Sequence, residues 1–239
     1  MYSDADAAVL YDLLNSWGPS DDFYLSCVMD ASSVLDVGCG TGVLLHRARE
    51  AGHEGRLCGL DPNGAALDRA GGRHDIEWVL GRAQDAEWER EFALAVMASN
   101  AFQVFVTDDE LCASLTAIRQ ALSDGGRFVF GTRNPQARAW EKWNPANHVD
   151  ITDHVDRSLH VSHFVESVVG DVVTFTETTA TRAGEPLRID RTSLRFLDVE
   201  RIGAFLGEAG FEVETCYGDW SRGPLTAGSD NIVVVARAA

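Results

Sequence analysis

The chain has 239 residues, of which 45% are apolar, and its formal net charge is −17. This length and apolar content suit a single domain that buries a core of its own. The acidity argues against binding to the phosphate backbone of nucleic acids, which requires a basic surface.

At the start of the chain, apolar residues at helical spacing predict one helix over 4–17 and a second over about 21–30. An apolar signal core is missing, and no stretch reaches the length of a membrane-spanning helix. Five scattered cysteines without C-x-x-C spacing indicate neither a disulfide framework nor a zinc site. We therefore expect a cytoplasmic protein with no membrane partner.

Residues 32–42 form the most informative stretch of the sequence. Val34, Leu35 and Val37 form a short apolar run that is typical of a buried parallel strand. Three glycines at alternate positions then indicate a tight turn, Gly38, Gly40 and Gly42. The helix that follows has first-turn N–H groups without an intrahelical acceptor, which can bind an anionic group of a nucleotide cofactor. The dinucleotide fingerprint would need glycine or alanine at residue 43, where this chain has valine.

Asp36 and the three glycines match the pattern D/E-x-G-x-G-x-G. This stretch resembles the first motif of class I S-adenosylmethionine-dependent methyltransferases, and the resemblance continues from about residue 20 to the C-terminus. It implies an α/β fold with a seven-stranded, mostly parallel, doubly wound Rossmann-like sheet, and S-adenosylmethionine as the cofactor. Asp36 would then face the methionyl amine, and Tyr24, rather than Tyr11, would close over the cofactor from the leading helices.

A second predicted strand, over 56–60, ends at Asp61. An acid at this point of a doubly wound sheet can bind both ribose hydroxyls, because a carboxylate has two acceptor oxygens. The same acid could instead cap the helix that Pro62 begins. Both roles remain open on the sequence.

The third strand, over 76–80, leads to the segment 83–85, where the resemblance places the adenine pocket. Asp85 would accept from the exocyclic amine, although a solvated loop acid is the alternative. A fourth strand, over 92–97, breaks at Ser99 and Asn100, which should lie beside the sulfonium because the carboxyl ends of parallel strands line the ligand crevice. The predicted cofactor-binding residues are Tyr24, Asp36, Gly38, Gly40, Gly42, Asp61, Pro62, Asn63, Ala83, Gln84, Asp85, Ser99 and Asn100.

The strand–helix alternation fails between residues 135 and 197. Residues 136–146 carry two tryptophans and are predicted to form a lid. Three β-rich runs follow, separated by glycine-containing turns, over 158–168, 171–182 and 187–196. We interpret them as an antiparallel three-stranded insertion, which resembles the sheet that sugar-amine and other small-molecule methyltransferases place over the active site.

A final helix begins after Asp198, and two strands over 211–214 and 231–235 close the sheet at its edge. The resemblance implies that they are antiparallel. The turn after the fourth strand, the crevice side of the fifth strand, the lid and the loop before the last strand supply the predicted substrate-binding residues, Gln103, Arg133, Trp140, Trp143 and Tyr217. Gln103 could equally cap a core residue.

Methyl transfer from a sulfonium needs a general base only if the attacking atom carries a proton that must leave. The candidates are histidines in and around the insertion, of which His148 and His163 are selected. We expect no metal site, because the histidines show no close pair with a carboxylate partner at ligand spacing.

The sequence thus predicts one methyltransferase domain over 1–239, with N-terminal helices over 1–31 and a lid and β insertion over 135–197. It would methylate oxygen or nitrogen of a small molecule, with an amino sugar or another secondary-metabolite intermediate as the suggested acceptor. The alternatives are an NAD-type oxidoreductase and a non-catalytic cofactor-binding partner subunit. The chain would be a monomer or a homodimer.

Overall fold

A computed structural model describes residues 2–239. The strands are β1 (Ser33–Val37), β2 (Arg56–Asp61), β3 (Glu77–Leu80), β4 (Phe92–Met97), β5 (Leu122–Arg133), β6 (Val149–Thr152), β7 (Ser158–Val169), β8 (Val172–Thr181), β9 (Pro186–Arg195), β10 (Phe211–Tyr217) and β11 (Asn231–Ala238). The helices are α1 (Asp4–Leu14), α2 (Pro19–Met29), α3 (Val43–Glu50), α4 (Gly64–Ala70), α5 (Asp108–Ala121) and α6 (Val199–Glu208). None of these helices is both long and apolar enough to cross a membrane.

A seven-stranded sheet forms the centre, in the order β10-β11-β5-β4-β1-β2-β3. Strands β1 to β5 are parallel, whereas β11 is antiparallel to both of its neighbours. One face packs against α5 and α6, and the other against α2 and α3. The predicted doubly wound sheet is confirmed, and its strand order brings the carboxyl ends of β1, β4 and β5 side by side.

A second sheet, in the order β6-β7-β8-β9, is antiparallel throughout. It has four strands, so the prediction of three was wrong in this detail. The missed strand, β6, has only four residues, which is too short for a clear alternation. The predicted lid before it is a series of short 3₁₀ helices, over 135–137, 139–142 and 145–147.

Helix α1 fastens this second sheet to the rest of the molecule. Tyr2 and Leu10 form a buried cluster with Leu159 and Val161 of β7. Ion pairs surround the cluster, including Arg188 with Asp4 at 2.6 Å. The sheet is therefore held over the carboxyl ends of the parallel strands.

Candidate active site

The glycine turn after β1 places its three glycines in the left-handed region, with φ of +76°, +54° and +74° at Gly38, Gly40 and Gly42. A Cβ at Gly42 would overlap the ring of Trp78, so this glycine is required by packing. Around Gly40, by contrast, a Cβ would meet no atom of residues 2–239 within 4 Å apart from its chain neighbours. Gly40 is thus the position at which a ligand can approach the backbone.

Asp36 lies inside this turn as a carboxylate without a partner. It is 1% exposed, and its Oδ1 has no hydrogen-bond partner among residues 2–239. Burial, and secondarily the charge of Asp61, raises the pKa of Asp36 to about 7. An unbalanced buried acid fits a ligand that brings a positive charge, as the ammonium and sulfonium of S-adenosylmethionine do.

Asp61, at the end of β2, fixes the turn from the other side. Its Oδ2 accepts from the Gly40 N–H and its Oδ1 from the Asn63 N–H, both at 2.8 Å. Each oxygen keeps a second lone pair that a ribose hydroxyl could use. The N-cap of α4 is Asn63, whose side chain accepts from Ala65 and Ala66, so the capping role considered for Asp61 belongs to Asn63.

The predicted adenine segment forms a 3₁₀ helix in which Ala83 is buried and both Gln84 and Asp85 are exposed. Next to Asp61 in the sheet register lies Leu80, which is 66% exposed. Leu80 is not among the cofactor-binding residues predicted from the sequence. An apolar residue at the last position of a strand, directly before Gly81, is the signal that could have found it, because such a residue can pack against an adenine ring.

Of the two tyrosines on the leading helices, Tyr24 is buried and Tyr11 is exposed, which is the opposite of what a cofactor contact by Tyr24 requires. Tyr24 is 0% exposed, and its hydroxyl donates to the Met97 carbonyl at 2.9 Å. It is therefore a core residue, and its predicted cofactor contact does not fit this position. Tyr11 is 47% exposed; burial raises the pKa of its phenol, while Ser99 and Arg133, which lie beside it, oppose the rise. Tyr11 thus borders the crevice.

Ser99 and Asn100 follow β4 with φ of +51° and +59°. Two consecutive non-glycine residues in this region are strained, and such strain is concentrated at functional sites. The Oδ1 of Asn100 is buried without a partner among residues 2–239. The predicted site at the end of β4 therefore contains a buried amide oxygen that is free to accept a hydrogen bond from a ligand.

Arg133, the last residue of β5, is held by Gln103. The Arg133 Nη1 donates to Gln103 Oε1 at 2.8 Å, and Gln103 Nε2 donates to the Arg195 carbonyl at 3.0 Å. Gln103 is 0% exposed, so it positions Arg133 and does not face the crevice itself. The guanidinium lies over the ring of Trp143, 5.4 Å from its centroid.

Trp143 joins Arg133 to the insertion sheet. Its ring lies 4.8 Å from that of Phe175 and 6.5 Å from that of His163, measured between centroids. The His163 Nε2 is 2.9 Å from Glu177 Oε2. A carboxylate in this position fixes the orientation of the imidazole ring, as a positioned base requires.

The remaining predicted residues lie outside this connected set. Trp140 packs edge-on against Phe196 at 4.6 Å between centroids, and Tyr217 packs against Phe23 at 6.5 Å on the other face of the central sheet. His148 is exposed and stacks on His160, 3.9 Å between centroids.

Asp150 lies beside these two stacked imidazoles, with its Oδ1 3.1 Å from His160 Nδ1. Potential ligand atoms of His148, Asp150 and His160 all lie within 4.8 Å of one another. The sequence predicts no metal site here. The grouping arises because β6 pairs with β7, which places Asp150 opposite His160.

Residues 34–126 match the family model described as a methyltransferase domain. The seven-stranded sheet, the glycine turn and the unbalanced acid of the site agree with this match. The chain is therefore an S-adenosylmethionine-dependent methyltransferase, and S-adenosylmethionine is its cofactor.

Individual relatives lie at moderate distance. The chain is 28% identical over 222 residues to cypemycin N-terminal methyltransferase of a Streptomyces species, covering 87% of this chain and 83% of the relative. A solved S-adenosylmethionine-dependent methyltransferase of Clostridium acetobutylicum has a TM-score of 0.78 at 16% identity, covering 98% of each chain. An amino pentose methyltransferase of Micromonospora echinaspora, solved with S-adenosylmethionine bound, has a TM-score of 0.71 at 20% identity, covering 100% of this chain and 98% of the other.

Proposed function

We propose that the chain methylates a nitrogen or oxygen of a small molecule in what we term the acceptor crevice, lined by Tyr11, Ser99, Arg133, Trp143 and His163. The observation that carries this proposal is that these side chains are neighbours: burial raises the pKa of the Tyr11 phenol, Ser99 and Arg133 both oppose that rise, and Arg133 lies over the ring of Trp143. Trp143 in turn lies 6.5 Å from His163 between ring centroids. A crevice bordered by the insertion sheet suits a small acceptor, because water must be excluded from the reacting atoms.

Each side of the crevice has its own task in this proposal. When bound, S-adenosylmethionine supplies a methyl group that its own sulfonium charge activates. Asp36 balances the positive charge, and Asp61 holds the ribose while it keeps Gly40 in place. Tyr11 and Trp143 exclude water and position the acceptor.

His163 accepts the proton that leaves the attacking atom, and Glu177 orients its ring and stabilises the imidazolium. His148 is the weaker of the two predicted bases, because its ring is exposed and stacked on His160 rather than adjoining Trp143.

An amine is the favoured acceptor group. The curated relative named above is an N-terminal methyltransferase, and the structural neighbours include an amino pentose methyltransferase and a sugar N-methyltransferase. These names support an amino sugar or another secondary-metabolite amine as the acceptor. A monomeric or homodimeric state and a cytoplasmic location stay predictions.

Isothermal titration with S-adenosylmethionine, S-adenosylhomocysteine and NADH tests the donor site. We expect saturable binding of both sulfur ligands, no signal with NADH, and at least about tenfold weaker binding, roughly 1.4 kcal/mol, in Asp61→Ala. Asp124→Ala is the control, because this exposed acid lies near the amino-terminal end of β5, whereas the crevice lies at its carboxyl end.

Transfer of a labelled methyl group to a panel of amino sugars and other amines then tests the acceptor. Incorporation that His163→Gln removes would support the proposed crevice. Absence of heat and of a thermal shift with either sulfur ligand would contradict the function itself.

A further inference from the structure

Arg133 stands apart from the other arginines in its ionic surroundings. Most arginines lie within 4.0 Å of a carboxylate oxygen. Those with no such neighbour within residues 2–239 are Arg82, Arg133, Arg182 and Arg222. All of these except Arg133 are exposed, whereas Arg133 is partly buried. In a chain with a net charge of −17, a sheltered arginine without an acid is an exception that calls for a ligand.

The groups around Arg133 are neutral. Gln103 contributes an amide oxygen at 2.8 Å, Trp143 an aromatic face, and Tyr11 a phenol. Burial lowers the pKa of Arg133, which shows that the surroundings do not compensate the charge. Taking a cation out of water without a counter-charge costs free energy, and an anion that enters the crevice would recover it.

The guanidinium is also held in a defined orientation. Gln103 accepts from one end of the fork, and the ring of Trp143 supports its plane. The hydrogen-bond pattern within residues 2–239 leaves the rest of the fork free. A planar fork of N–H donors matches the paired oxygens of a carboxylate or a phosphate.

The position of Arg133 in the sheet indicates that its charge faces the methyl acceptor rather than the donor. Strand β5 is separated from β1 by β4, which puts Arg133 about two strand spacings, ~10 Å, from the glycine turn. It adjoins Tyr11 and Trp143, the side chains that line the acceptor crevice.

We propose that Arg133 binds an anionic oxygen group, a carboxylate or a phosphate, on the methyl acceptor. This inference rests on the proposed function and narrows it, since a neutral amine would leave the guanidinium without a partner. The acceptor is then an amine or alcohol that also carries an acid group.

Three aromatic probes of similar shape test the inference: benzoate, phenyl phosphate and neutral benzamide. Each is titrated calorimetrically into the full chain saturated with S-adenosylhomocysteine. We expect at least one of the two anions to bind at least tenfold more tightly than benzamide, and the anion that binds better identifies the acid group.

Arg133→Gln should remove this preference, and Arg133→Lys, which keeps the charge but loses the fork, should keep part of it. Arg182→Gln is the matched control, because Arg182 is exposed and has no carboxylate within 4.0 Å in the described chain. Thermal unfolding of each variant confirms that it is folded before it is titrated.

Equal binding of all three probes, no binding of any, or a preference that survives in Arg133→Gln would overturn the inference. A loss of S-adenosylhomocysteine affinity in Arg133→Gln, with that of methylthioadenosine unchanged, would also overturn it, because Arg133 would then hold the donor's carboxylate. A chain that bound the anions through Arg133 but did not bind S-adenosylhomocysteine would support the anion site and contradict the methyl-transfer proposal instead.

Discussion

The donor side and the acceptor side of the crevice are built in different ways. On the donor side, one short stretch of chain supplies the glycine turn, and its backbone N–H groups donate to the Leu60 carbonyl and the Asp61 side chain of β2. On the acceptor side, α1, the turn after β4, β5, the predicted lid and β7 each contribute one residue, and side chains that lie next to one another connect them. The first is thus fixed by backbone geometry and the second by packing.

The two sides also differ in the sign of the charge that the chain leaves uncompensated. Asp36 is a buried acid without a counter-charge, and Arg133 is a sheltered base without one. If each charge selects its ligand, the acid favours the cationic donor and the arginine an anionic acceptor. The crevice would then orient both substrates by the same electrostatic rule, applied with opposite signs.

The largest expected effect comes from breaking the acceptor side alone. His163→Gln should lower kcat for an identified amine acceptor about 100-fold or more, because a positioned base contributes that much to proton removal. The affinity for S-adenosylhomocysteine should not change, since His163 lies on the insertion sheet. Steady-state kinetics and calorimetry on the same preparation measure both values.

His148→Gln is the matched control, and we expect its kcat to stay within about twofold of the unmodified chain. Glu177→Gln should lie between the two, because it removes the group that orients His163 but leaves the imidazole in place. If the His148 and His163 variants lost activity equally, the base would have to be reassigned.

Much of the donor side could be predicted from the sequence because its signals are local. Val34, Leu35 and Val37 mark β1, the alternate glycines follow it, and Asp61 ends β2. All of these signals are read from short stretches of sequence. The parallel strands were found for the same reason. Strand β6 was missed because four residues with two polar side chains carry too little pattern to exceed that of a loop.

The acceptor side could be predicted only as a set of candidate residues. Tyr11 and Tyr24 have the same residue type and both lie on the leading helices, so their sequence contexts do not distinguish them. Their burial is decided by what each helix meets, which for Tyr24 includes the carbonyl of Met97. Arg133 was selected, but its support by Gln103 depends on a contact 30 residues away in the chain.

On the donor side, a smaller effect is expected in the pH dependence of S-adenosylmethionine binding. The pKa of Asp36 is about 7 in the ligand-free chain, and a bound cation favours its ionised form. The affinity for S-adenosylmethionine should therefore rise several-fold between about pH 6 and pH 8. Calorimetric titrations across this range measure the change, and Asp36→Asn should remove it.

The stability of the ligand-free chain should fall as the pH rises, whereas the affinity for S-adenosylmethionine should rise. Because the pKa of Asp36 is raised from its ordinary 3.8 to about 7 on folding, its protonation favours the folded state. This contribution is fully present below the unfolded value and is lost as the pH rises through the folded value. Asp36→Asn should thus raise the melting temperature at pH 8 more than at pH 5, and equal shifts would contradict the raised pKa.

The smallest expected effects distinguish the two tyrosines by function. Tyr11→Phe should lower kcat/KM for the acceptor about threefold, the size of one neutral hydrogen bond, and leave the melting temperature unchanged. Tyr24→Phe should lower the melting temperature and leave kcat/KM unchanged, because the hydroxyl of Tyr24 is buried and donates to the Met97 carbonyl. Losing that bond should cost about 1 kcal/mol, or a few degrees in melting temperature for a chain of this size.

Each tyrosine variant serves as the control for the other, since both remove one phenolic oxygen and keep the ring. Thermal unfolding followed by kinetics on the same two proteins would show whether the effects separate. If Tyr24→Phe lowered kcat/KM without lowering the melting temperature, the hydroxyl of Tyr24 would have a role at the cofactor after all. Tyr24 would then be a cofactor-binding residue, and the cofactor site would extend inward as far as the Met97 carbonyl.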